Sequence, residues 1–227
     1  MPPTPWRVGG AQRQGHREVQ ADAFAVGGDR ATGRVAACVT DGIGDTTEAA
    51  EAAQLAADAA AHATLTATTE AGCAAAREHL AASDNLADAS IVTALFDPDH
   101  SRIAITWAGI CRAYALTDDG QLQHATYDHS LGERIRRHTN RRGPLELYDR
   151  KVTRTVARHE FVTTSLPAHT IRSVLLCSDG VSQLLDDHVI LRALTMADPD
   201  DAAQLLVDSG GIHGSDNATA VVLHHQS

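Results

Sequence analysis

The sequence predicts an α+β layered domain with largely antiparallel sheets, because its short β-prone runs come in groups and its helical segments come in pairs. Residues 90–96, 102–108 and 112–116 are three such runs in succession. Asp97-Pro98-Asp99-His100 separates the first two, and Asp118-Asp119-Gly120 follows the third. An alanine-rich helical pair precedes this group, and a second helical pair lies between two apolar runs near the C-terminus.

Taken in order, residues 22–26 alternate enough for a strand, and 34–40 form a stronger one that pairs with it. A helix is expected over 46–65. Asp45 with Glu48 three residues on makes a capping box, since the Asp side chain accepts from the N3 amide. Leu55 and the alanines give this helix a small-residue packing face, while Glu51, Asp58 and His62 exclude a membrane span. A second helix covers 70–82. After the three-strand group, 121–126 reads as another strand, followed by an irregular arginine-rich stretch. Residues 172–178 form a central apolar strand. Helical segments follow near 186–196 and 200–208, with Gly210-Gly211 as a natural stop. The last strand is 218–224. No internal repeat or low-complexity linker interrupts the 227 residues.

Composition bounds the function. Hydrophobic residues are 43% and charged residues 21%, ordinary for a globular protein with a substantial core. A net charge of −10 argues against nucleic acid as a general partner. Lys151 is the only lysine. Cys38, Cys73, Cys111 and Cys177 make no C-x-x-C pair, which argues against a zinc or redox motif; Cys38 and Cys177 sit in apolar runs as buried thiols. No signal-peptide pattern and no membrane-length apolar stretch is evident, so a cytoplasmic location is expected.

Three aspartate motifs stand at the ends of apolar runs. Residues 35–40 lead into Asp41-Gly42-Ile43-Gly44, residues 174–178 into Asp179-Gly180, and Ser215-Asp216-Asn217-Ala218-Thr219 opens the last strand. One Asp-Gly after a strand is ordinarily a turn, because Asp bonds its own backbone and Gly tolerates positive φ. Three such ends on one sheet edge would converge three carboxylates, the oxygen ligands that hard divalent cations take. A metal-dependent hydrolytic centre is the expectation.

Six segments carry a family resemblance. They are Gly15-His16-Arg17-Glu18-Val19-Gln20-Ala21-Asp22-Ala23, Asp41-Gly42-Ile43-Gly44, Trp107-Ala108-Gly109-Ile110-Cys111-Arg112-Ala113-Tyr114, Thr126-Tyr127-Asp128-His129-Ser130-Leu131, Leu176-Cys177-Ser178-Asp179-Gly180-Val181 and Ser215-Asp216-Asn217-Ala218-Thr219. In this order, and over nearly the full length, they resemble the metal-dependent protein phosphatase family, type 2C. The resemblance implies one domain over 1–227, a four-layer αββα sandwich of two antiparallel β-sheets flanked by helix pairs. It implies two Mn²⁺ or Mg²⁺ ions and a hydroxide between them that attacks a phosphoserine or phosphothreonine monoester in line. Asp41 would bridge both ions, the Gly42 carbonyl would bind the second, and Asp179 and Asp216 would complete the first. Asp22 would orient metal-bound water, and Arg17 would pair with the substrate phosphate. Asn217 would brace its loop. The implied partner is a phosphorylated protein, the substrate of a Ser/Thr kinase, with no membrane involved.

The chain departs from the family pattern at four positions. Ala21 replaces an acidic residue before Asp22. Ile110 and Gln183 stand where ligands of a third metal are expected, so a third site is expected to be absent. Ile43 occupies the place of a histidine proposed as general acid in some relatives. The rival reading on the same fold is a weak or inactive phosphoprotein-binding regulatory module. The flap, about 128–151, holds Arg134, Arg136, Arg137, Arg141, Arg142, Arg150 and Lys151. Its Arg136, Arg137 and Arg141 are candidate contacts to an acidic substrate segment; a solvated loop balancing the net charge is the alternative.

Overall fold

The computed structural model describes residues 6–139, 145–213 and 216–226. The chain runs β1 (Trp6–Arg13), β2 (Asp22–Asp29), β3 (Arg34–Gly42), α1 (Thr47–Thr66), α2 (Thr69–Ala82), β4 (Ala89–Asp97), β5 (Arg102–Ala108), β6 (Arg112–Thr117) and β7 (Leu122–His124). It continues through α3 (Leu131–Thr139), α4 (Glu146–Asp149), β8 (Val162–Pro167), β9 (Ile171–Cys177), α5 (Asp179–Ser182), α6 (Asp187–Leu194), α7 (Pro199–His213) and β10 (Ala218–His225). Two five-stranded sheets form, in the orders β1-β10-β9-β6-β7 and β2-β3-β4-β5-β8. Every strand pair is antiparallel.

The sheets pack face to face. Val35, Ala37 and Val39 of β3, and Val92 and Ala94 of β4, meet Val174 and Leu176 of β9 and Val221 and Leu223 of β10. The intervening residues of each strand face outward to helices, as the two-residue period of a strand requires. Cys38 and Ile91 pack under the alanines of α1 and α2, and Leu175, Cys177 and Val222 pack under α6 and α7. The result is the αββα layering that the resemblance implied.

Alanine permits the close approach of α1. Ala49, Ala52, Ala53, Ala56, Ala57 and Ala60 are fully or almost fully buried against the sheet. Gly72 of α2 lies against the Thr64 hydroxyl and the Ala60 carbonyl of α1, with no room for a side chain. Among them these small residues allow a helix pair to seat with little side-chain entropy lost.

Five expectations need correction. Strand β1 was not expected. Gly9 and Gly10 weaken its strand signal, yet Gly9 abuts the Pro199–Asp200 backbone and Gly10 abuts the Phe24 ring, so each lacks space for a Cβ. Strand β8 was also missed; it is a half-buried edge strand with Thr163, Thr164 and Ser165 in succession, and it ends at Pro167. The cap of α1 is Thr46, whose hydroxyl accepts from Ala49 N at 3.2 Å, whereas Asp45 turns away to accept from Val19 N. Helix α7 does not stop at Gly210; it passes through, and Gly210 serves close packing rather than termination, since a side chain there would press on the Gly180 carbonyl. The arginine-rich stretch is not irregular where it is described: it forms α3 and α4. The Ser130 hydroxyl accepts from Glu133 N at 3.1 Å, and Glu133 pairs with Arg136 and Arg137 one turn on.

All four cysteines are buried free thiols. Among the described residues, no helix is long and apolar enough to cross a membrane.

Candidate metal centre

The inward-facing row of β3 reads Val35, Ala37, Val39 and then Asp41. The apolar row therefore ends in a carboxylate at one end of the sandwich. Register places Asp22 of β2 on one side of Asp41 and Ser90 of β4 on the other. From the opposite sheet, Asp179 begins α5 directly after β9, and Asp216 precedes β10. Asp41, Gly42, Asp179, Asp216 and Arg17 line one cavity of about 200 Å³. The sequence-predicted ligands thus meet, although 175 residues separate Asp41 from Asp216.

Two glycines make this convergence possible. Gly42 has the carbonyls of Ala49 and Ala21 where a Cβ would sit, and its own N–H donates to Ala21 O at 2.9 Å. Gly180 lies against the Asn217 carbonyl, so the second and third aspartate motifs touch through backbone.

Asn217 braces the first motif. Its Oδ1 accepts from Ala21 N at 2.8 Å, and its Nδ2 donates to Gln14 O at 2.8 Å and Val19 O at 3.0 Å. Asp22 is buried, and its Oδ2 accepts from the Ser178 hydroxyl at 2.7 Å. Ser178 also receives Thr219 N, so one hydroxyl ties Asp22 to β10. The sequence reading gave Ser178 no role, although it belongs to the Ser-Asp-Gly motif.

The gathered carboxylates shift one another's protonation. Burial pushes the Asp22 carboxyl up to about 7; the charges of Asp179 and Asp216 add to the rise, and hydrogen bonds from Ser178 and Thr219 oppose it. Burial raises Asp41 well above the ordinary carboxylate range, reinforced by Asp179, Asp22 and Asp216. Burial and the charge of Asp216 push Asp179 up to about 6. Like charges taken out of water raise one another's pKa unless a cation intervenes. Arg17 supplies part of that charge, with Nη2 at 2.8 Å from Asp216 Oδ2 and Nη1 at 3.8 Å from Asp45 Oδ2.

This donor set fits hard divalent cations: carboxylates and a backbone carbonyl, with no thiolate or imidazole lining the cavity. Among the described residues, no three His, Cys, Asp or Glu side chains are arranged to hold a metal ion as they stand. Two hydrogen bonds bear on this: Arg17 holds Asp216, and the Gln183 amide donates to Asp179 Oδ2 at 3.1 Å. Ile110 and Gln183 both line the cavity, so the expected third-ligand positions carry no carboxylate.

The flap residues lie to one side. Arg136 donates to Asp149 at 2.6 and 3.2 Å and to Glu133 at 3.1 Å. Arg137 pairs with Glu133 and lies 3.6 Å over the Tyr127 ring. Arg141, like Arg142, is outside the described residues. Arg150, counted in the sequence only as part of a basic run, lines the carboxylate cavity itself. Arg112 and Asp128 come from two different motifs and form one bidentate pair at 2.6 and 2.7 Å, which ties those motifs together.

No protein-family profile and no curated protein matches the sequence. Solved structures do. The chain is similar to the serine/threonine phosphatase PstP/Ppp of Mycobacterium tuberculosis, with 24% identity, a TM-score of 0.77, and 98% of this chain and 99% of that one covered. It is similar to PppA, a regulatory component of T6SS in Pseudomonas aeruginosa, at 26% identity and a TM-score of 0.76, over 97% of both chains. A structure of the PstP catalytic domain in complex with two manganese ions matches at 25% identity and a TM-score of 0.76, over 96% of this chain and 97% of that one. The chain shares the fold of these serine/threonine phosphatases, and its six ordered motifs and gathered aspartates resemble the metal-dependent protein phosphatase family, type 2C.

Proposed function

We propose that the whole chain, 1–227, acts as a metal-dependent phosphoserine/phosphothreonine protein phosphatase. The observation that carries this reading is the convergence of Asp41, Asp179 and Asp216 on one cavity, with Asp22 buried behind them and a guanidinium at its edge. Asp41, the Gly42 carbonyl, Asp179 and Asp216 would hold two Mn²⁺ or Mg²⁺ ions. When bound, such ions supply an acidified water as nucleophile and neutralise charge on the phosphoryl oxygens. Arg17 has the planar donor geometry to grip two phosphate oxygens once released from Asp216. Asp22, fixed by Ser178, would accept a hydrogen bond from water held beside the ligands and orient it. The Ile43 side chain cannot protonate a leaving group, so the alcohol takes its proton from solvent in the cavity.

The flap contributes substrate affinity. Neutralising Arg136, Arg137, Arg141 and Arg142 together raises KM for a phosphoprotein and leaves KM for p-nitrophenyl phosphate nearly unchanged. The physiological substrate is the product of a Ser/Thr kinase.

The test is hydrolysis of p-nitrophenyl phosphate and a phosphothreonine peptide with Mn²⁺, with Mg²⁺ and with EDTA, beside Asp179→Asn. Metal-dependent turnover that the variant loses supports the reading. Folded protein inert with every metal would replace it with a phosphoprotein-binding module, the reading that Ala21, Ile110 and Gln183 favour.

A further inference from the structure

A second cavity, of about 480 Å³, adjoins the carboxylate cavity and shares Arg150 and Gln183 with it. Most charge on its wall is already matched. Arg112 clasps Asp128 through two hydrogen bonds, and Arg136 clasps Asp149 through two more. Two polar groups are not matched. The backbone N–H of Arg150 donates to Tyr148 O, but its exposed guanidinium makes no ion pair or hydrogen bond among the described residues and reaches Asp179 only as a longer-range charge. Ser182 is 6% exposed, and its hydroxyl is buried without a hydrogen-bond partner among the described residues. A buried hydroxyl left unpaired is costly, and a rotation about χ1 of Ser182, which lines the cavity, would let a ligand oxygen complete its bonding.

We propose that this cavity receives a carboxylate side chain of the substrate, close in sequence to the phosphorylated residue that enters the carboxylate cavity. The inference rests on the phosphatase reading above and adds a substrate class to it: phosphoproteins with an acidic residue beside the phosphosite. The guanidinium of Arg150 matches a carboxylate in charge and shape, and the Ser182 hydroxyl adds one neutral donor. The matched pairs on the wall preset the cavity without competing for the ligand. One unmatched cation answers one carboxylate; a second phosphate dianion brings more charge than Arg150 balances. Leu147, exposed on the cavity wall, offers apolar surface to the methylenes of a glutamate.

The test uses fluorescent phosphothreonine peptides, each with a single Glu or Gln at one position on either side of the phosphoresidue. Binding is read by anisotropy in EDTA and in Mn²⁺, and hydrolysis is read in parallel. At one position Glu should bind about tenfold tighter than Gln, the scale of one charge-assisted hydrogen bond. Arg150→Gln should remove that preference, Arg150→Lys should keep part of it, and Ser182→Ala should reduce it. Matched thermal melts check that each variant folds. The proposal is overturned if no position discriminates, if discrimination survives Arg150→Gln, or if phosphoserine outcompetes Glu at the selective position. Discrimination in binding with no hydrolysis of any peptide would sink the phosphatase reading and leave the subsite standing. Hydrolysis without discrimination would do the reverse.

Discussion

The carboxylate cavity and the arginine flap are neighbours of opposite charge, and the fold treats them differently. Asp22 is buried and Asp41 and Asp179 are half-buried beside it, with their pKa values driven up by desolvation and by neighbouring carboxylates. Arg112, Arg136 and Arg137 each hold a carboxylate at hydrogen-bond distance. A buried charge without a counter-ion costs several kcal/mol of order, whereas a bidentate pair returns most of that cost. The difference separates carboxylates short of counter-charge from arginines that already hold one, so Arg136 and Arg137 reach a substrate only by exchanging Asp149 and Glu133 for it. Within the flap, Arg150 belongs electrostatically to the first region.

Four experiments press on this contrast. The largest effect is expected from Asp179→Asn with Mn²⁺, which should lower kcat/KM on the order of a thousandfold, since charge stabilisation by a metal is worth several kcal/mol. The same variant in EDTA should melt higher than the parent, because it removes one of the mutually repelling carboxylates. A lower melting temperature there would break the claim that the cavity is uncompensated.

Next in size, Arg112→Ala leaves Asp128 buried without its partner. It should cost about 3–5 kcal/mol in denaturant unfolding, the range for breaking a buried pair from one side. Arg112 also donates to the Ser182 carbonyl at 3.1 Å, so the loss should extend to the wall of the second cavity. A cost below about 1 kcal/mol, as for a surface pair, would show that Arg112–Asp128 is solvent-screened.

The third concerns pH. Asp22 at about 7 and Asp179 at about 6 lie above the ordinary value of 3.8. A raised carboxyl binds a proton in the folded state that the unfolded state has released. The stability it contributes is full below about pH 4 and is lost as pH rises towards 7. His129 has the opposite sign: burial, helped by Arg154 and Arg137, lowers it from 6.5 to about 4. Its contribution is full above about pH 6.5 and is lost as pH falls towards 4. In EDTA, Asp179→Asn should therefore tilt the profile of melting temperature against pH towards loss at low pH, and His129→Gln should tilt it the other way. Each proton is worth about 1.4 kcal/mol per pH unit. Saturating Mn²⁺ should flatten the fall between pH 5 and about 7, where the carboxylates otherwise carry protons. Parallel profiles for parent and Asp179→Asn would contradict the assigned shift.

The smallest effect is expected at Arg137, which is half exposed where it pairs with Glu133. Arg137→Gln should change unfolding free energy by less than about 1 kcal/mol, the range for exposed pairs. A larger loss would mean that its stacking on Tyr127 is the main contact.

The four-layer order came only with the family resemblance, while most strand positions, the α+β class with largely antiparallel sheets, and the three aspartate motifs at strand ends were legible in the sequence. These follow from local patterns: apolar alternation, Asp-Gly turns and alanine-rich helical spacing. Strand β1 escaped because its glycines answer to Pro199 and Phe24, which are distant in sequence. The cap at Thr46 and the passage of α7 through Gly210 were likewise settled by neighbours. Only the tertiary structure decided which charges are spent. The flap arginines read alike in sequence, yet Arg136 is held by Asp149 and Glu133 while Arg150 faces both cavities. Charge compensation depends on distance in space, and a linear pattern does not encode that distance.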